Sequence, residues 1–210
     1  MTEVKRILNH KKIIIFDLDG VLINSKANMK ISWNYSAKKN GINISFDKYF
    51  KFIGLPFKKI LSKLKIKRTH FTNLKKDFDY SSKKNISKIK PYKSAKLVLS
   101  KLKKNKKKVC LLTSKDIKRS KLIIKKFGFK FDKIECGKEN IRGKPYPDQL
   151  LKILKTTKTK NKEVVYIGDM IYDKITANNA KVDFIFAKYG YGTFKVSKKT
   201  LKINSLTELF

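Results

Sequence analysis

Unbroken apolar runs of strand length punctuate the chain, among them IIIF at 13–16, VCLL at 109–112 and VVYI at 164–167. Runs this short, each ending at polar residues, predict buried strands. Between the first and second runs the apolar positions recur at helical spacing instead. Met29, Trp33 and Ala37 lie four apart, Phe57, Ile60, Leu61 and Leu64 follow Pro56 at i, i+3, i+4 and i+7, and Phe71, Leu74 and Phe78 continue the pattern. After the second run, DIKRSKLIIKKFG at 116–128 reads as a helix, and a further helix is expected to start at Pro147. The order of strand, helical insert, then alternating helices and strands predicts an α/β core with a parallel sheet and helices on both faces. Residues 1–23 and 91–210 would form that core. Residues 24–90, with no strand pattern of their own, would form a small inserted helical module ending at Pro91. A length of 210 residues with 41% hydrophobic content suits one core with one insert.

Each strand run ends on residues that carry chemistry. The first delivers Asp17 and Asp19, which project to the same side of an extended chain and can share a phosphate-sized pocket with a cation between them. One carboxylate can act as nucleophile and the other as general acid and base. Gly20 then permits a sharp turn. Taken alone, Asp-x-Asp-Gly also reads as a strand-ending turn. The second run ends in Thr113 and Ser114, whose hydroxyls, beside free N–H groups of the next helix, would form an oxyanion site; in isolation they read equally as helix caps. In GKPYPDQLL, Pro145 and Pro147 stiffen the backbone around Lys144 and single it out from the other lysines as a held ammonium able to neutralise phosphate charge. The third run delivers Asp169, with Asp173 four residues on and on the same helical face, a pairing that suits a hard cation such as Mg²⁺.

The segments FDLDGVLINS, LLTS, GKPYPD and YIGDMIYD, in that order and followed by FIFAKYGYG, resemble the haloacid dehalogenase superfamily of phosphohydrolases, specifically its phosphoglycolate-phosphatase-like branch. The likeness runs from about Lys12 to the C-terminus. It implies a Rossmann-like core with an α-helical cap in the position of the insert, which emerges beside Asp19. It also implies a phosphatase acting on a small phosphorylated metabolite such as phosphoglycolate or a sugar phosphate. Asp17 would take up the phosphoryl group as an aspartyl-phosphate, and Asp19 would protonate the leaving oxygen and activate the hydrolytic water. Thr113 and the Ser114 amide would hold phosphoryl oxygens and Lys144 would offset their charge, with Gly20 also at the substrate. Mg²⁺ would sit between Asp17, the Asp19 carbonyl and Asp169, supported by Asp173 directly or through water. Trp33 and the loop Gly54 to Phe57 are the candidates to meet substrate from the cap, a core role being the stronger reading for Trp33.

Two positions depart from the family pattern. Lys181 in ANNAKV stands where glycine is common, and PYKSAK lacks the glycine often found before the helix that re-enters the core. Neither carries chemistry. A dehalogenase relative would lack the second aspartate, present here as Asp19. A sugar phosphomutase of the same superfamily is the second enzymatic reading, and a basic binding protein on a dead core would require lost catalytic groups, of which there are none.

The charge changes the picture less than its size suggests. There are 53 basic against 16 acidic residues, net +37, which would ordinarily point to nucleic acid. All but four of the basic residues are lysines, whereas base and phosphate readers lean on the bidentate guanidinium, and the lysines are spread over every element. Enrichment in Lys, Asn, Ile and Phe fits the output of an AT-rich genome. No specific nucleic-acid partner is expected, although the field can draw small anions to the pocket. The N-terminus has no apolar signal segment and no run approaches a membrane span, so no membrane partner is expected. Cys110 and Cys136 fall in expected core strands without CxxC spacing, which predicts reduced, buried thiols in a cytoplasmic protein; a monomer or homodimer is expected, a choice the cysteines do not decide. Gly190-Tyr191-Gly192 is too short to read as a dinucleotide loop.

Overall fold

A computed structural model of the chain describes residues 2–138 and 140–210. The chain opens with helix α1 (Glu3–Asn9), capped by the Thr2 hydroxyl and burying only Val4 and Leu8, and then enters strand β1 (Ile13–Phe16). A short strand β2 (Ile23–Asn24) leads into helices α2 (Lys26–Lys39), α3 (Phe46–Phe50), α4 (Phe57–Lys63) and α5 (Phe71–Lys84), and strand β3 (Lys90–Pro91) closes the excursion. The remainder alternates as α6 (Ala95–Lys104), β4 (Lys108–Asp116), α7 (Ile117–Phe127), β5 (Lys133–Gly137), α8 (Asp148–Thr157), β6 (Val164–Gly168), α9 (Ile171–Asn179), β7 (Asp183–Ala187) and β8 (Leu201–Ile203).

The six long-range strands form one parallel sheet in the order β5-β4-β1-β6-β7-β8. Successive side chains of a strand point to opposite faces, and both faces here are covered by helices, which is why the strand sequences are apolar throughout. In β1, Ile14 and Phe16 join Val109, Leu111, Val165 and Ile167 on one face, packed by α1, α6 and α7. Ile13 and Ile15 join Cys110, Leu112 and Tyr166 on the other, packed by α8 and α9. All four β1 side chains are wholly buried, each worth about 1.5–3 kcal/mol of transfer free energy.

The helical insert has its own apolar cluster, including Met29, Trp33, Phe57, Ile60, Leu61, Leu74 and Phe78. Trp33 is fully buried, stacks on Tyr49 at 4.4 Å and donates its indole N–H to the Ile44 carbonyl. Sequence periodicity did not anticipate α1, the five-residue α3, or β8. Nor did it anticipate the antiparallel β2–β3 pair, Ile23 opposite Pro91 and Asn24 opposite Lys90, which ties the two ends of the insert together. Strand β4 also runs two residues past Ser114, with a register irregularity between Thr113 and Asp116.

The sheet order decides where chemistry can occur. From β1 the chain builds outward on one side through β4 and β5, then returns to add β6 on the other side. The crevice at the carboxyl ends of strands on either side of such a reversal is where open α/β sheets bind ligands. Asp17, Thr113 and Asp169 lie at or near the ends of β1, β4 and β6.

Candidate active site

Asp17 continues the β1 ladder, donating its N–H to the Ile167 carbonyl at 2.9 Å, so the backbone under it is fixed. Its carboxylate Oδ1 accepts from Lys144 Nζ at 2.8 Å, and the same ammonium donates to Asp173 Oδ1 at 2.6 Å. Lys144 is only 1% exposed, held by a loop in which the Lys144–Pro145 peptide is cis and α8 begins after Pro147. Asp173 has both oxygens committed: Oδ1 also accepts from the Tyr166 hydroxyl at 2.8 Å, and Oδ2 accepts from the N–H groups of Asp169 and Met170.

Asp169 is wedged among glycines. A Cβ on Gly20, Gly190 or Gly192 would lie within 2.3 Å of an Asp169 atom, and Gly20 has φ +87°. The Tyr191 N–H, held between the last two glycines, donates to Asp169 Oδ2 at 2.6 Å. Asp169 Oδ1 is buried with no hydrogen-bond partner among the described residues. The Gly190-Tyr191-Gly192 segment therefore serves as a cradle for this carboxylate. Gly20 uses its own N–H on the Ile23 carbonyl at 2.8 Å, and its lack of a side chain leaves the room that Asp169 occupies.

Carboxylate oxygens of Asp17, Asp169 and Asp173 lie within 4.8 Å of one another. Burial, opposed by Lys144 and reinforced by Asp173, lifts the Asp17 carboxyl from its ordinary 3.8 to about 7. Burial, then the charges of Asp173 and Asp17, push Asp169 up strongly. Burial works against the Lys144 ammonium, but Asp17 and Asp173 outweigh it and raise its pKa. A buried carboxylate cluster with one orphaned oxygen and one ammonium is short of positive charge. A divalent oxygen-seeking cation fits that deficit.

Asp19 does not join the cluster. Its Oδ1 accepts from the Ser25 hydroxyl, and Oδ2 lies 3.2 Å from Lys115 Nζ. Ser25 is in turn held by its N–H donating to the Tyr191 hydroxyl at 2.6 Å. Thr113 is buried at the irregular end of β4, where its Oγ1 accepts from the Lys115 N–H. Neither Thr113 nor Ser114 caps α7; Asp116 does, its Oδ1 taking the Arg119 N–H at 2.9 Å. The expected free helix N–H groups beside Thr113 are thus displaced two to three residues along the chain, because β4 is longer than its apolar run. Ser114 Oγ donates to the Gly54 carbonyl at 2.6 Å and so ties the core to the insert.

A pocket lies over these groups. From the core it is lined by Asp17, Asp19, Thr113, Ser114, Lys115 and Lys144, and from the insert by Met29, Tyr49, Gly54, Leu55 and Phe57. The Gly54–Phe57 loop faces the pocket, whereas Trp33 does not line it. Arg119, also in the lining, bridges Asp116 of β4 (2.6 Å) and Asp79 of α5 (3.2 Å), with Lys75 on the same two aspartates.

The residues that sequence reasoning missed are Lys115, Ser25, Tyr166 and Arg119. Two of them carried a signal. Lys115 is two residues beyond Thr113 on an extended chain and so shares its side, and a tyrosine within an apolar buried strand needs a partner for its hydroxyl.

A family model for haloacid dehalogenase-like hydrolases matches residues 14–187. The chain is 29% identical over 189 residues to a provisionally named pyrophosphatase, PpaX, of Caldanaerobacter subterraneus subsp. tengcongensis, covering 89% of this chain and 86% of that protein. It is 28% identical over 195 residues to a phosphoglycolate phosphatase of Psychrobacter arcticus, covering 86% and 85%. Among solved structures, one from Clostridium acetobutylicum described as a predicted phosphatase aligns over 95% of this chain and 96% of its own, with a TM-score of 0.80 and 27% identity. With the aspartates, Thr113 and Lys144 gathered at one sheet edge and the family match spanning most of the chain, this protein belongs to the haloacid dehalogenase-like hydrolases, on their phosphatase branch.

Proposed function

We propose that this enzyme is a Mg²⁺-dependent phosphatase that hydrolyses a small phosphomonoester through an aspartyl-phosphate on Asp17. The observation that carries the reading is the difference in surroundings between the two aspartates. Asp17 sits inside the buried carboxylate and lysine cluster, and Asp19, two residues on, is turned out of it toward Ser25 and Lys115. That separation supports a reading in which Asp17 attacks and Asp19 handles the proton of the leaving group.

Asp17 and Asp169, with the Asp19 carbonyl, would hold the cation, which when bound neutralises carboxylate and phosphoryl charge. Asp173, whose oxygens are already committed, would support it indirectly by fixing Asp169 and Lys144. With Oδ1 held by Lys144, Asp17 would attack phosphorus through its other oxygen while the bond to the leaving oxygen breaks and Asp19 supplies that oxygen's proton. Asp19, now a carboxylate, would take a proton from the water that attacks the phosphoryl group, releasing inorganic phosphate and restoring Asp17. Thr113 and the Ser114 amide would hold phosphoryl oxygens, and Lys144 would offset their charge. The α2–α5 insert would serve as a cap that excludes water. Its half of the pocket is carbon-rich, which suits exclusion of solvent.

A panel of phosphomonoesters, assayed for phosphate release with Mg²⁺ and after chelation, tests this. Hydrolysis of at least one small ester that stops on chelation is the expected result. No release across the panel with Mg²⁺ present would overturn it.

A further inference from the structure

Three cations line the pocket, and they are not equally engaged. Lys144 lies between two carboxylates, Asp17 and Asp173. Arg119 likewise lies between two, Asp116 and Asp79. Lys115 has a single ion-pair partner among the described residues, Asp19 Oδ2 at 3.2 Å, although its side chain is only 6% exposed. An ammonium carries three donors, so a buried lysine with one carboxylate oxygen retains capacity for a further acceptor. Burying a charge with that capacity unused is costly unless something fills it.

Position decides what that could be. Lys115 contacts Asp19, the residue proposed above to supply the leaving oxygen's proton, and it lines the same pocket. The insert lines the same pocket with the carbon surfaces of Met29, Phe57 and Phe78, and with Tyr49. Chain geometry explains how a lysine comes to be there: β4 continues past Thr113 with a register irregularity, and Gly137 of β5 lets it pass closely, since a Cβ there would lie 2.4 Å from the Ser114 carbonyl oxygen.

We propose that Lys115 is a specificity residue that binds an anionic group carried by the leaving portion of the substrate, either a carboxylate or a second phosphate. The inference deepens the phosphatase reading and rests on it. It restricts the substrate to small esters or anhydrides with a second negative charge a few bonds from the scissile oxygen, and disfavours neutral alkyl and sugar leaving groups of similar size.

The test compares kcat/KM for phosphoglycolate and pyrophosphate, which carry the two kinds of anion, with that for ethyl phosphate, which carries neither, all with Mg²⁺. Wild type is expected to favour at least one anionic substrate over ethyl phosphate by tenfold or more. In Lys115→Met the ratio of anionic to neutral kcat/KM should fall by about 10- to 100-fold, chiefly through KM, as expected for one lost charge-assisted contact. Lys115→Arg should recover part of that ratio. Which of the two anionic substrates is favoured identifies the anion. A wild type that hydrolyses all three without preference overturns this inference alone, as does an equal loss on all three in Lys115→Met. A wild type inactive on all three but active on other esters also overturns it, and inactivity on every phosphate ester removes the phosphatase reading with it. The wild-type comparison needs no variant, so a poorly folding Lys115→Met leaves the test intact.

Discussion

Lys144 Nζ lies 2.8 Å from Asp17 Oδ1, with both side chains almost wholly buried. The pair is also tied to Asp173, so the lysine is the counter-ion on which a three-carboxylate cluster depends. Removing one member of a buried ion pair leaves an uncompensated charge and costs about 3–5 kcal/mol. Lys144→Met should therefore lower the melting temperature of the metal-free protein clearly at pH 8 and less at pH 5.5, where protons can replace the ammonium. Phosphate release should drop by about 100-fold or more, the scale seen when one preorganised charge stabiliser is lost. Melting curves at the two pH values and an aryl phosphate assay check both parts.

The Asp17 carboxyl, raised by burial from 3.8 to about 7, makes a further prediction about pH. Between those values the native state binds more protons than the unfolded chain, so this group's contribution favours folding in acid and is lost as pH rises through about 7. Metal-free protein should thus melt at lower temperature at pH 8 than at pH 5.5. Added Mg²⁺ should raise the melting temperature at pH 8 more than at pH 5.5, because the cation and the proton compete for the same carboxylates. A Mg²⁺ response of equal size at both pH values would contradict the charge deficit inferred for the site.

Much of this arrangement was legible in the sequence, for a physical reason. Strands buried on both faces must be apolar throughout, so IIIF, VCLL and VVYI stand out, and residues at their carboxyl ends necessarily fall at the ligand-binding edge. Asp17, Thr113, Lys144, Asp169 and Asp173 do come together there. What escaped was either too short to show a period or fixed by distant contacts. Helix α1 buries two side chains and β8 has three residues, fewer than a repeat needs. The Gly190-Tyr191-Gly192 cradle has meaning only opposite Asp169, 22 residues away from Tyr191. Lys115 was lost in a background of lysines, where exposure is the sound default and only tertiary structure shows burial.

The two departures from the family's glycine pattern have a visible consequence. Lys181 has φ +53° and Ser94 φ +68°, so the left-handed turns that favour glycine persist without it. Lys65, Lys106 and Lys158, which follow α4, α6 and α8, share this conformation. A side chain in the left-handed region costs about 1–2 kcal/mol, partly offset by the extra freedom glycine gives the unfolded chain. Lys181→Gly, at an exposed position away from the pocket, should stabilise the protein by up to about 1 kcal/mol in urea denaturation without altering phosphate release.

The most direct single measurement is the rate of phosphate release by Asp17→Asn from an aryl phosphate with saturating Mg²⁺, set beside its melting curve. An aryl leaving group departs without help from Asp19, so the assay isolates the attacking carboxylate. If Asp17 is the nucleophile, the amide cannot form the acyl phosphate, and release should fall below about one per cent of wild type, a barrier increase of at least about 2.7 kcal/mol, in a protein that still melts cooperatively. Release above that level from a folded, homogeneous variant would contradict covalent catalysis at Asp17.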